Sequence, residues 1–141
     1  MSMNLKQIMR RVTKDRIDNA QFVKLVKMKA GYGKKDGKAF VACQSYSTHH
    51  FDQDGKKVAN HERRHYVTVI KFLDDKLNVN VSCSCDDFLY RWEWALANRG
   101  ASDIFYSNGQ HPDVTNPGMI PAQCKHLVKL VETIKHKIPG M

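Results

Sequence analysis

The stretch LNVNVSCSC (77–85) alternates apolar and polar residues without a break. Successive side chains of a strand point to opposite faces. The spacing therefore predicts a strand with Leu77, Val79, Val81, Cys83 and Cys85 on the buried side. Asn78, Asn80, Ser82 and Ser84 fall on the other. Any fold for this chain has to place two thiols at the end of a buried strand face. A disulfide between them is awkward, because their Cα atoms would stand about 6.6 Å apart, near the upper limit for that bond.

After a further 38 residues, 86–123, comes QCKHL, with Cys124 and His126 one residue apart. Leu127, Leu130, Val131, Ile134 and Ile138 then recur on one face of a predicted last helix, which Pro121 can open. Asp86 and Asp87 suit a helix start over 87–100, closing at Gly100. Residues 101–120 carry Asn-Gly, His-Pro and Asn-Pro steps and read as an irregular excursion, with Ile104, Phe105 and Tyr106 either a docking loop or a lid over the protein's own core.

Upstream, Leu5, Ile8, Met9 and Val12 predict an amphipathic helix over 4–14, with Lys6, Arg10 and Arg11 on its wet side. Residues 21–30, 38–47 and 65–72 read as strands, 30–38 as a Gly- and Lys-rich turn, and 51–60 as a loop around Asp54-Gly55. The expected class is α+β. It comprises a mostly antiparallel sheet of about four strands, an N-terminal helix, an inserted helix and a C-terminal helix. A chain of 141 residues fits one domain, 1–141. Within it, 1–64 holds the basic helix and first strands, and 65–137 a hairpin–helix unit interrupted by 86–123.

No apolar run approaches the roughly 20 residues of a membrane span, and MSMNLKQIMRR lacks the apolar core of a secretion signal. The expectation is an intracellular, cytoplasmic protein, or one carried inside a particle assembled in a cell. In a reducing compartment, closely spaced thiols favour metal over disulfides. Cys83, Cys85, Cys124 and His126 supply the four donors of a tetrahedral structural zinc, expected here as one ion clipping hairpin to helix. The alternative is that the cysteines are small buried hydrophobes and His126 a satisfied core residue. Cys43, beside Phe40 and Val41, reads as a core thiol. His49, His50, His61, His65 and His111 read as surface or hydrogen-bonding histidines.

Cys83-Ser-Cys85 followed by Cys124-Lys-His126 resembles the SWIM zinc finger, CxC…CxH. That family places CxC at the end of a β-hairpin and CxH at the start of a helix. The resemblance covers roughly residues 65–137, with an insertion longer than in most members. It implies a zinc-bound ββα unit that binds DNA or protein. The run SNGQHPDVTNPGMIPAQCKHL is also similar to small SWIM-containing proteins of tailed bacteriophages, which would imply a virion or assembly role.

Four donors leave no coordination position for a reactant. The chain also lacks HxE…PCxxC, GxxxxGK[ST] and GxSxG; HERRH (61–65) has the letters of HExxH, a motif that binds zinc only from a helix, and this segment leads into the strand over 65–72. The expectation is a protein that is not an enzyme and has neither a small-molecule substrate nor a membrane partner. Charge points to contact instead. Residues 1–38 hold eleven Lys or Arg against three Asp, whereas the remaining residues nearly balance. Candidate phosphate contacts are Lys6, Arg10, Arg11, Lys14, Arg16, Lys24, Lys27, Lys34, Lys35 and Lys38, with Tyr32 available to stack on a base. The same charge suits an acidic protein surface. Two roles therefore stay open: a structural or assembly component meeting protein subunits and packaged nucleic acid, and a stand-alone DNA- or RNA-binding regulatory zinc finger.

Overall fold

The computed structural model describes residues 3–85, 87–88, 96–97, 100–102 and 124–138. Their elements in chain order are β1 (Met3–Asn4), α1 (Leu5–Arg10), α2 (Lys14–Ala20), β2 (Val23–Tyr32), β3 (Ala39–Ser47), β4 (His49–Phe51), β5 (Lys57–Ala59), β6 (Tyr66–Phe72), β7 (Asn78–Cys83) and α3 (Lys125–Ile134), which ends in a 3₁₀ turn at Lys135–Lys137. The class is mixed α+β. Five strands pair antiparallel in the order β1-β7-β6-β3-β2, and β4 and β5 form a separate hairpin.

Alternation decides which side of the sheet is covered. Val79, Val81 and Cys83 of β7 lie beside Ile70 and Thr68 of β6, which lie in turn beside Val41 and Cys43 of β3. Of these, all but Val41 are buried. Helix α3 packs on this face against β2, β3 and β6, and α2 packs against α3. Leu127, Val128, Leu130, Val131 and Ile134 of α3 are buried. At about 1.5–3 kcal/mol per fully buried aliphatic side chain, this face outweighs the helix's own propensity as the reason it forms. One core cluster joins Met3, Leu5 and Ile8 to the strand residues and to α3.

Several elements differ from expectation. The first helix stops at Arg10, and a second, α2, follows it. Asn4 opens α1 with a capping box: its side chain accepts from the Lys6 N–H at 2.8 Å, and Gln7 accepts from the Asn4 N–H at 3.0 Å. The segment read as a 51–60 loop contributes to a hairpin, because Asp52 accepts the N–H groups of Asp54 and Lys56, both at 2.9 Å, and folds the turn. The sheet has five strands rather than about four. Strand β7 begins at Asn78, since Leu77 sits at φ +65°, inside a turn that Asp74 organises by accepting from Lys76 and Asn78. Leu77 is nevertheless buried, as are Val79, Val81, Cys83 and Cys85.

Of the expected helix over 87–100, most lies outside the described residues, but its end is defined. The Ala101 N–H bonds the Leu96 carbonyl at 2.8 Å, and the Gly100 N–H bonds that of Ala97 at 3.0 Å. With Gly100 at φ +72°, this is a Schellman closure. The Ala101 carbonyl then accepts from the Val81 N–H at 2.7 Å, which ties this helix end to β7. The excursion over 103–120, with Ile104, Phe105 and Tyr106, lies outside the described residues, as do Asp86 and Pro121. Among the described residues, no helix is long and apolar enough to cross a membrane.

Candidate metal centre

Strand β7 delivers Cys83 as its last residue, and the chain continues past Ser84 to Cys85. The Ser84 N–H bonds the Val67 carbonyl at 3.1 Å, and the Val67 N–H bonds Ser84 Oγ at 3.0 Å. Ser84 is thereby held against β6, and the thiols on either side of it turn inward. Cys124 is the N-cap of α3 and His126 lies in its first turn. The two pairs meet. One donor atom from each of Cys83, Cys85, Cys124 and His126 lies within 4.8 Å of every other, and all four residues are buried. In a tetrahedron with metal–sulfur bonds near 2.3 Å, the sulfurs stand about 3.8 Å apart, so small side-chain shifts bring this cluster onto one ion.

No disulfide competes for the sulfurs, since all four cysteines of the chain are free thiols. His126 Nδ1 is buried and has no hydrogen-bond partner among the described residues. A buried polar nitrogen in that condition is costly unless a cation or donor meets it. Three thiols and an imidazole are soft and borderline donors, the set that takes a tetrahedral d¹⁰ ion in preference to calcium or magnesium.

The thiols are electrostatically unequal. Burial opposes ionisation of Cys83, but hydrogen bonds from Cys124 and Cys85 and the proximity of His126 outweigh it, and its thiol is held well below the usual range. Burial, reinforced by the Cys83 and Cys85 sulfurs, pushes Cys124 well above it. For Cys85 the hydrogen bond from Cys124 favours the thiolate, yet Cys83 and burial together raise it. Ionisation is thus easiest at Cys83 and opposed at Cys85 and Cys124. A divalent cation binding here displaces the remaining thiol protons.

Surrounding groups fit an anionic metal–thiolate centre. The Thr68 hydroxyl, opposite Cys83 in the β6–β7 register, donates to Cys83 Sγ at 3.4 Å. The first bond of α3 runs from the Val128 N–H to the Cys124 carbonyl at 3.2 Å. The preceding N–H groups therefore lie ahead of the helical ladder, at the positive end of the helix. The Tyr66 ring lies 5.1 Å from that of His126 at 52° and packs against the imidazole. Neither Thr68 nor Tyr66 is signalled by the cysteine spacing. Thr68 becomes legible once the hairpin register is known.

Beside the centre opens a cleft of about 590 Å³, with Cys85, Cys124 and His126 on its wall. Its rim mixes both signs of charge, with Arg16, Arg64 and Lys125 against Asp15, Glu62 and Asp87. Cys43 lies elsewhere in the core, where burial raises its thiol, and it is not among the convergent donors. His50 bonds Asn60 at 2.6 Å and His49 bonds Thr48 at 2.9 Å. His111 lies outside the described residues.

The ten basic candidates do not share one surface. Lys6, Arg10, Arg11 and Lys14 are exposed on or beside α1 and α2, in the helical layer. Lys24 and Lys27 are exposed on β2, whereas Lys34, Lys35 and Lys38 belong to the β2–β3 turn. The Lys38 ammonium bonds the Leu73 carbonyl at 2.7 Å. Arg16 is bound to Asp87 and Asp15, with its side chain only 13% exposed, and is a structural ion pair rather than a free cation. Tyr32 is 77% exposed at the far end of β2.

No family model, curated protein or solved structure matches this chain.

Proposed function

We propose that this is a non-catalytic, zinc-stabilised protein of SWIM-like organisation that works by contact. The observation that carries the reading is the convergence of Cys83, Cys85, Cys124 and His126, all buried, from the end of a hairpin and the start of a helix. Three thiolates and one imidazole complete a tetrahedron and leave no position for water or substrate, which is the form of a structural site. Zinc here joins β7 to α3 across the 38 residues between the two pairs. Its free energy of binding becomes free energy of folding.

The test is metal content after purification without added metal, followed by replacement with Co²⁺. The expected result is one zinc per chain, and a cobalt form with intense tetrahedral thiolate bands that added azide leaves unchanged. Material lacking bound metal, or azide-dependent bands that reveal an open coordination position, overturns the reading. Contact covers both nucleic acid and the subunits of a larger assembly, including a virion. The charge on the uncovered sheet face favours nucleic acid.

A further inference from the structure

The face of the sheet opposite α3 has no helix on it among the described residues. Strands β2, β3, β6 and β7 contain four lysines and no acidic residue. The register places all four lysines on that uncovered face. Lys24 lies opposite Tyr46, Lys27 opposite Gln44, Lys29 opposite Ala42, and Lys71 opposite Phe40. Lys71 is paired with Asp36. Lys24, Lys27 and Lys29 are exposed and stand in a row on β2, an edge strand.

Their alignment depends on one irregularity. Lys24 and Lys27 are three residues apart, so a regular strand would point them to opposite faces. The register shifts between Leu25 and Lys27, and the extra residue Val26 brings both lysines to the same side. Lys27 and Lys29 are then about 6.8 Å apart along the strand, comparable with successive phosphates of an extended single strand.

Beside the row lies a prepared aromatic surface. His65 stacks on Tyr46 with ring centroids 5.2 Å apart and 9° between the planes. The Gln44 amide donates to His65 Nδ1 at 2.7 Å and fixes the ring. His65 is exposed, so its outer π-face meets solvent. Phe40 lies over Gly31 on the same face, where an added Cβ would approach its ring to 3.6 Å.

We propose that this uncovered face, through Lys24, Lys27, Lys29 and the His65–Tyr46 stack, binds single-stranded nucleic acid. The lysines track the phosphates, and a base extends the stack on His65. A duplex keeps its bases stacked inside and gives a flat aromatic surface nothing to stack on, so single strands are preferred. The proposal deepens the contact reading, but it rests on the sheet rather than on the metal.

The experiment is fluorescence anisotropy of the full chain with labelled dT₂₀, rU₂₀ and a 20-base-pair duplex, at about 50 mM salt and upward. Both single strands are expected to bind more tightly than the duplex. Lys24→Gln/Lys27→Gln/Lys29→Gln is expected to weaken binding at least about tenfold and to reduce the slope of log affinity against log salt by about 2, as three lost phosphate contacts require. His65→Ala is expected to weaken binding about fivefold or more with an unchanged slope. Lys6→Glu/Arg10→Glu, in the helical layer, leaves binding within about twofold. Circular dichroism and metal content establish that each variant is folded and loaded, so failure here is separable from failure of the zinc reading. No binding at about 50 mM salt, an equal preference for duplex, or loss of binding with the helical variant but not the sheet variant overturns the proposal.

Discussion

Arg16 of α2 grips Asp87, two residues past the CxC pair, through two side-by-side hydrogen bonds. Nε meets Oδ2 at 3.0 Å and Nη2 meets Oδ1 at 2.7 Å. The same guanidinium reaches Thr13 Oγ1 at 2.9 Å and the Asp15 carboxylate. This fork crosses 71 positions of chain and anchors the segment that leaves the Cys/His cluster to the N-terminal helices.

Arg16→Ala is expected to destabilise the protein by about 1–2 kcal/mol, less than a fully buried charged pair because Asp87 is partly open to water. Arg16→Lys recovers little of this, since one ammonium cannot make the two-pronged contact. Urea unfolding of the three proteins checks both values. An Arg16→Lys curve that overlays the parent would show that charge alone suffices.

Cys124→Ser is expected to abolish stoichiometric metal binding and to broaden the melting transition, whereas Cys43→Ser keeps one metal per chain. Zinc sites of this kind contribute about 10–16 kcal/mol of binding free energy in finger peptides, so a strong chelator should undock α3 from the sheet. Metal analysis and near-ultraviolet circular dichroism before and after chelation report this. Metal loss in Cys43→Ser would mean that the donor set is wrong.

Gly100→Ala is expected to cost about 1–2 kcal/mol, because φ +72° brings an L residue's Cβ against its own carbonyl. Gly100→Asn should cost less, as Asn tolerates the left-handed region. Thermal melts of the two variants give the order. Equal losses would place the cost in lost packing around Ala101 instead.

What could be read beforehand was local. The unbroken alternation of 77–85 gave the buried row that ends in Cys83 and Cys85, and the 3.6-residue period after Cys124 gave the buried face of α3. Helix α2 gave no such signal. Ile17 is 46% exposed and Ala20 is its buried residue, so KDRIDNA has no apolar stripe. It is held by Arg16–Asp87 and by packing on α3, both long-range. Strands β4 and β5, three residues each, are too short to show a period.

The amino-acid sequence alone determined which residue types were available as donors, and that each pair sat at the boundary of a strand or a helix, because periodicity is a property of neighbours along the chain. Tertiary structure alone decided that Thr68 donates to Cys83, that Arg16 is consumed by Asp87, and that a bulge at Val26 aligns Lys24 with Lys27. Each of these depends on strand register or on contacts between distant segments, and neither is encoded in local spacing.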